Sequence, residues 1–144
     1  MRCFIHTILL LIVVLLFSGC KKDDDKETPS ECDQTVIISN EEYQNAPDDF
    51  LTIVSAKIQN NCLIINFGSS GCDGSTWVVK LIDSEAVAES YPPQRTLRLS
   101  LQNEELCDAY FTKEISFNIQ DLQVEGSSVI LNIEEFIQPI LYEY

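Results

Sequence analysis

Thr96-Leu97-Arg98-Leu99-Ser100-Leu101 is the stretch that decides the fold. Leu97, Leu99 and Leu101 fall on one side of an extended chain and Arg98 and Ser100 on the other, because successive side chains of a strand point to opposite faces. A strand with one dry face needs a second layer to cover it. The same period of two recurs at Leu63, Ile65 and Phe67, at Trp77, Val79 and Leu81, at Ile115, Phe117 and Ile119, and at Val129, Leu131 and Ile133. Thr52, Val54, Ala56 and Ile58 give a further strand, residues 36–38 a short first one and residues 140–142 a short last one.

Turn-forming residues separate these runs at intervals of about ten residues: Gln59-Asn60-Asn61, residues 68–74, Tyr91-Pro92-Pro93, residues 102–105 and Glu125-Gly126-Ser127. Gln59-Asn60-Asn61 is short enough for a hairpin, asparagine tolerating a positive φ. Residues 41–45 and 85–89 are each long enough for a single helical turn, without apolar residues at helical spacing. Seven to eight strands predict an all-β domain, an antiparallel two-sheet sandwich of immunoglobulin-like architecture. A small β-barrel is the alternative.

Upstream of these strands the chain changes character. Residues 8–17 are an unbroken apolar run of 10 residues, about 15 Å as a helix and half of a bilayer core of about 30 Å, so the run suits a signal peptide better than a spanning helix. Phe17-Ser18-Gly19-Cys20 resembles a bacterial lipobox, which makes residues 1–19 a lipoprotein signal peptide and Cys20 the lipidation site. Lys21-Lys22-Asp23-Asp24-Asp25-Lys26-Glu27 resembles the export signal that sends lipoproteins of the Bacteroidota to the outer leaflet. Residues 20–31 then form an acylated cysteine with a charged, flexible tether, and residues 32–144 the β-sandwich domain. Extended, the 11 residues 21–31 reach about 36 Å. These features imply a cell-envelope, outer-membrane, surface-exposed protein whose membrane partner is reached through the lipid on Cys20.

Removing residues 1–19 takes away Arg2 and no acid, so the formal charge moves from −14 to −15. Such a surface repels phosphate backbones, and no nucleic-acid partner is expected. Cys3 leaves with the signal and Cys20 carries lipid, which leaves Cys32, Cys62, Cys72 and Cys107. An even count in an exported domain implies two disulfides with three possible connectivities. The favoured one joins Cys32 to Cys62 and Cys72 to Cys107, because each bridge then ties a loop or strand end to a distant part of the chain. Loops of that length would stabilise by about 3 to 4 kcal/mol each in the chain-entropy model. A thiolate metal site lacks both a C-x-x-C and a histidine. Neither a metal nor a cofactor is expected.

His6 is the only histidine and lies in the signal, so catalysis by a Ser-His-Asp or Cys-His constellation is excluded for the processed chain. Two runs offer candidate binding loops. Gly68-Ser69-Ser70-Gly71-Cys72-Asp73-Gly74-Ser75-Thr76-Trp77 combines three glycines with a cysteine pin, and Asp73 and Ser75 offer oxygens to a sugar or a calcium ion. Calcium is disfavoured because only one acid lies in the run. The plain alternative is a disulfide-pinned connection whose Trp77 fills the core. Ser90-Tyr91-Pro92-Pro93-Gln94-Arg95 is stiffened by its prolines and presents Tyr91 and Arg95, an aromatic and a cation of the kind recognition sites favour. A proline-fixed connection explains the same residues without a partner.

Several of these segments together resemble a group of small, uncharacterised Bacteroidota lipoproteins. The resemblance is carried by Ser70-Gly71-Cys72-Asp73-Gly74 before Trp77, Leu81-Ile82-Asp83-Ser84, Pro92-Pro93-Gln94-Arg95, and Glu105-Leu106-Cys107 with Ala109. Ser116-Phe117 and Asp121-Leu122 extend it. A variant of that pattern has a histidine shortly after the first of these two cysteines, where this chain has Gly74, Ser75 and Thr76. The resemblance implies a β-sandwich and an envelope location and implies no activity. The function expected is thus a non-enzymatic surface binding or structural module with a protein or glycan ligand. The alternatives are an inhibitor of a hydrolase such as a lysozyme or protease, and a carboxylate-based glycan enzyme.

Overall fold

A computed structural model describes residues 31–144, so the signal, Cys20 and nearly all of the tether lie outside the described residues. The elements run β1 (Gln34–Thr35), β2 (Ile37–Ile38), α1 (Asn40–Asn45), β3 (Thr52–Gln59), β4 (Cys62–Gly71), β5 (Val78–Ala88), β6 (Gln94–Gln102), β7 (Ala109–Asn118), β8 (Ser128–Ile133) and β9 (Ile140–Glu143). They form a four-stranded sheet, β1-β7-β4-β3, stacked on a five-stranded sheet, β2-β5-β6-β8-β9. The layers are those of a sandwich and do not close into a barrel. Pairing is mixed rather than wholly antiparallel, since β1 runs parallel to β7, β2 to β5 and β8 to β6.

The deciding stretch behaves as its alternation requires. Leu97, Leu99 and Leu101 of β6 enter the core, where they meet Leu63, Ile65 and Phe67 of β4, Phe117 of β7, and Leu131 of β8. Arg98 and Ser100 point to the other face and hold the α-helix at Asn40–Asn45. Arg98 donates to the carbonyls of Tyr43 at 2.6 Å, Ala46 at 2.9 Å and Pro47 at 3.3 Å, and Ser100 Oγ donates to Pro47 at 2.6 Å. Residues 40–45 therefore form α1 with its terminal carbonyls capped by a cation. At its start Ser39 Oγ accepts from the Glu42 N–H, with Glu41 and Glu42 in the first turn.

Three local expectations change. The expected first strand is two bridges, because the chain switches sheets at buried Val36, pairing with β7 before it and with β5 after it. In β3 the inward residue is Ile53, while Val54 is 56 % exposed. The register skips Val54 between Ile53 and Ser55, a bulge that restores Ala56 and Ile58 to the core face. Residues 85–89 are not helical. Residues 85–88 complete β5, and Glu85 sits at φ 67 where the register shifts between Asp83 and Val87. The Asn60-Asn61 hairpin turn is present, with Asn60 at φ 55.

Disulfides join Cys32 to Cys62 and Cys72 to Cys107. They stand at opposite ends of β4, whose ten residues span about 33 Å. Cys32, near the start of the described residues, is thus fastened at the end of the sandwich opposite the Cys72 loop.

Candidate functional site

The β4–β5 connection and the β6–β7 connection meet at the end of the sandwich far from Cys32. Cys72, Asp73, Gly74 and Thr76 turn their backbone N–H groups inward, and a single side chain fills the concavity. Glu105 Oε2 accepts from the N–H groups of Cys72 at 2.6 Å, Asp73 at 3.1 Å and Gly74 at 3.0 Å. Its Oε1 accepts from the Thr76 N–H at 3.4 Å and the Thr76 hydroxyl at 3.0 Å. Successive N–H groups around one anion make a nest. Partial burial raises the Glu105 pKa, but the bonds from Gly74, Cys72, Thr76 and Asp73 outweigh it and bring it down to about 2.

The loop is clamped from three other directions. The Cys72–Cys107 bridge ties it to the residues flanking Glu105. Trp77 lies beneath, stacked on Phe111 with ring centroids 4.9 Å apart, with the Lys113 ammonium 5.4 Å from its ring. Lys113 also donates to the Gly74 carbonyl. Gly74 has φ +67, and a Cβ there would lie 2.9 Å from Lys113 and 3.0 Å from Trp77, so glycine is needed twice over. The Ser75 hydroxyl, and after it the Ser75 N–H that Asp73 Oδ1 accepts at 2.8 Å, lower the Asp73 pKa. Asn103 completes the tip by donating to the Ser70 carbonyl at 2.8 Å while its own N–H donates to Asp49 at 2.7 Å.

Around this frame, Asp73 and Ser75 are exposed, Leu106 is 95 % exposed and Phe50 74 %. The backbone N–H groups of the loop are paired by Glu105 and Asp73, whereas the buried Trp77 Nε1 beneath them has no hydrogen-bond partner; what the loop offers outward is a rigid edge with a few apolar groups. Among the described residues no cluster of His, Cys, Asp or Glu is placed to hold a metal ion.

Tyr91 and Arg95 do not join this site. The Pro92-Pro93 turn connects the far ends of β5 and β6, at the same end as the Asn60-Asn61 turn, to which the buried Tyr142 donates a 2.8 Å hydrogen bond. Tyr91, before a cis proline bond, is fully exposed. Arg95 turns into the sandwich and meets Asp83 at 2.7 Å, with side-chain exposures of 10 % and 0 %. The candidate recognition cation is therefore committed to a structural ion pair. Burial raises the Asp83 pKa, against the Arg95 charge and the Glu85 N–H, which Asp83 Oδ1 also accepts at 2.8 Å.

A second concavity, a groove of about 540 Å³, lies where α1 and its following segment meet β6 and the β8–β9 connection. Tyr43, Asp48, Phe50, Arg98 and Glu134 line it, and the Tyr43 hydroxyl donates to Glu134 at 2.5 Å. Neither Glu105 nor this groove was anticipated from the sequence. The available signal for Glu105 was the glycine-bearing loop itself, whose clustered N–H groups require an anion, and the acid two residues before the partner cysteine.

No family model and no curated protein matches this sequence. Among solved structures, the fold is similar to a protein of unknown function (DUF1344) from Bacteroides vulgatus, with a TM-score of 0.54 and 13 % identity over 77 % of this chain and 56 % of that one. It is also similar to a putative toxin-related protein from Parabacteroides distasonis, with a TM-score of 0.50 and 18 % identity over 77 % and 59 %. A NigD-like immunity protein from Bacteroides caccae matches with a TM-score of 0.54 and 9 % identity over 76 % and 59 %. The chain thus spans 56 to 59 % of the length of these proteins, and what it shares with them is the fold.

Proposed function

We propose that this chain is a lipid-anchored envelope protein, held by Cys20, that binds a protein partner through the loop tip carrying Asp73, Ser75 and Leu106. The observation that carries the reading is the locking of residues 72–76 by one disulfide and the Glu105 carboxylate. A connection needs no such reinforcement, whereas a recognition edge gains affinity when its shape is fixed before binding. Its position supports the same reading, because the tip stands about 33 Å from the bridge that fastens Cys32, at the end of β4 that a tether would hold away from a membrane.

A photo-crosslinking residue at position 106 in intact cells tests the reading, with one at position 91 as the comparison. A partner captured from position 106, and lost when Asp73 and Ser75 are both changed to alanine, is the expected result. Equal capture from both positions would defeat it. Protease shaving of intact cells checks the location, since protection of the domain until the outer membrane is breached would count against surface exposure.

A second reading makes the binding inhibitory, as in a hydrolase inhibitor or an immunity protein. Its specific support is that two similar folds are described as a NigD-like immunity protein and a putative toxin-related protein. If the captured partner is a toxin or hydrolase, stoichiometric loss of its activity on mixing separates inhibition from simple attachment.

A further inference from the structure

The sandwich is closed along one side over only part of its height. On the β7 edge, β1 covers Phe117 and Asn118 alone; on the β5 edge, β2 covers Ile82 and Asp83 alone. Above Val36 the β7 edge has no strand partner among the described residues. The direction of its backbone groups follows from two bonds: the Val36 N–H donates to the Asn118 carbonyl at 3.0 Å, and the Ser116 N–H donates to Asp33 Oδ2 at 2.9 Å. Residues 116 and 118 therefore turn away from β4, and alternation turns the N–H and C=O groups of Tyr110, Thr112 and Glu114 the same way, toward the open edge. All three residues are exposed.

Beside this edge lies a slot of about 290 Å³ between the sheets, with Trp77, Val79 and Ile115 as its apolar wall and Asp33 and Glu114 among its exposed lining. The remaining cation there, Lys113, is already engaged by Gly74 and Trp77. We propose that the upper edge of β7 takes an extended strand from a protein partner, which places an apolar side chain in the slot and a basic one toward Glu114. A row of unpaired N–H and C=O groups recognises an extended chain, because a helix has its backbone groups satisfied internally. β1 already uses the same edge in this way two residues at a time. The charge selects the partner: the chain carries −14, so a second copy brings a matching repulsion while a basic strand is attracted.

This surface goes beyond the loop tip and is tested separately from it. Residue-resolved amide exchange is measured on the full chain with the peptide acetyl-Lys-Val-Lys-Val-Lys-Val-Lys-amide and with its glutamate counterpart. The basic peptide should slow exchange at Tyr110, Thr112 and Glu114 by at least about tenfold, a factor equivalent to about 1.4 kcal/mol. Phe111 and Lys113, bonded to β4, should not change. Thr112→Pro should abolish the effect, and Glu114→Lys should transfer it to the acidic peptide. Leu106→Asp, which disables the tip, should leave it intact. Equal protection by both peptides, or none, overturns the proposal. So does slow exchange before any peptide is added, which means a covered edge: by a second copy if dilution removes it, by the chain's first 30 residues if dilution does not.

Discussion

Arg95→Met separates a structural cation from a recognition cation. With the guanidinium gone, Asp83 keeps a carboxylate of 0 % side-chain exposure and loses its 2.7 Å partner. Breaking a buried pair on one side costs about 3 to 5 kcal/mol, a large share of the 5 to 15 kcal/mol typical of a domain. At about 4 °C per kcal/mol for a domain of this size, the melting temperature should fall by about 12 to 20 °C at pH 7. The penalty should depend on pH with a definite sign. The folded-state pKa of Asp83 is raised by burial despite Arg95, so the folded protein holds this proton more tightly than the unfolded chain. Removing Arg95 raises it further, and stability should then recover as pH falls from 7 toward 4 and be lost again as pH rises through the folded pKa. Asp83→Asn combined with Arg95→Met removes the charge, keeps the acceptor for the Glu85 N–H, and should regain most of the loss with a flat pH profile. Thermal melts of the three proteins between pH 4 and 7 decide the matter. A single variant within about 1 kcal/mol of the parent at every pH would refute the account of the pair.

Trp77 is the only tryptophan, so its fluorescence reports on the loop beside it. Glu105 has a depressed folded-state pKa of about 2, so its contribution is present above its ordinary value near 4.5 and lost as pH falls toward 2. Fluorescence should change across that acid window in the parent, whereas Glu105→Gln should show the altered signal at pH 7 and no further transition of this kind. Leu131→Ala, in the fully buried core, should cost about 2 to 5 kcal/mol by urea denaturation. Val54→Thr, at the outward-facing bulge, should stay within about 0.5 kcal/mol, and a larger loss would place Val54 in the core after all.

The sandwich was legible because burial on one face writes a period of two into β4, β6 and β8, and cysteine parity in an exported-looking chain announced two bridges. What escaped was information that does not reside in local pattern. Thr52, Val54, Ala56 and Ile58 read as one continuous face, yet a single extra residue at the bulge exchanges Val54 for Ile53, and nothing in the composition marks such an insertion. Residues 85–89 likewise read as long enough for one helical turn, whereas Glu85 at φ 67 marks an irregularity inside β5. Arg95 looked free beside two prolines. Its partner lies 12 residues away across a hairpin, and only the shared inward direction of Asp83 and Arg95 brings the charges together. Glu105 shares its connection with Glu104 and Asp108, and its place two residues before Cys107 singles it out only once the Cys72–Cys107 bridge sets the two connections side by side. The tip was thus visible as a distinctive run, while the group that shapes it was not.

Both disulfides are attached at the ends of β4, and this has a mechanical meaning. A pull on the chain before Cys32 passes through the Cys32–Cys62 bridge into the central strand, bypassing the two short bridges at β1 and β2. A counter-pull at the tip enters the same strand from its other end through Cys72 and Cys107. Load between the two therefore runs along one covalent backbone, with the flanking strands carrying it only in shear. Such a domain transmits tension as a tie rod does, along covalent bonds instead of across hydrogen-bonded strands. Reduction of the Cys32–Cys62 bridge would reroute the load through β1 and β2, turning the strongest path through the molecule into its weakest.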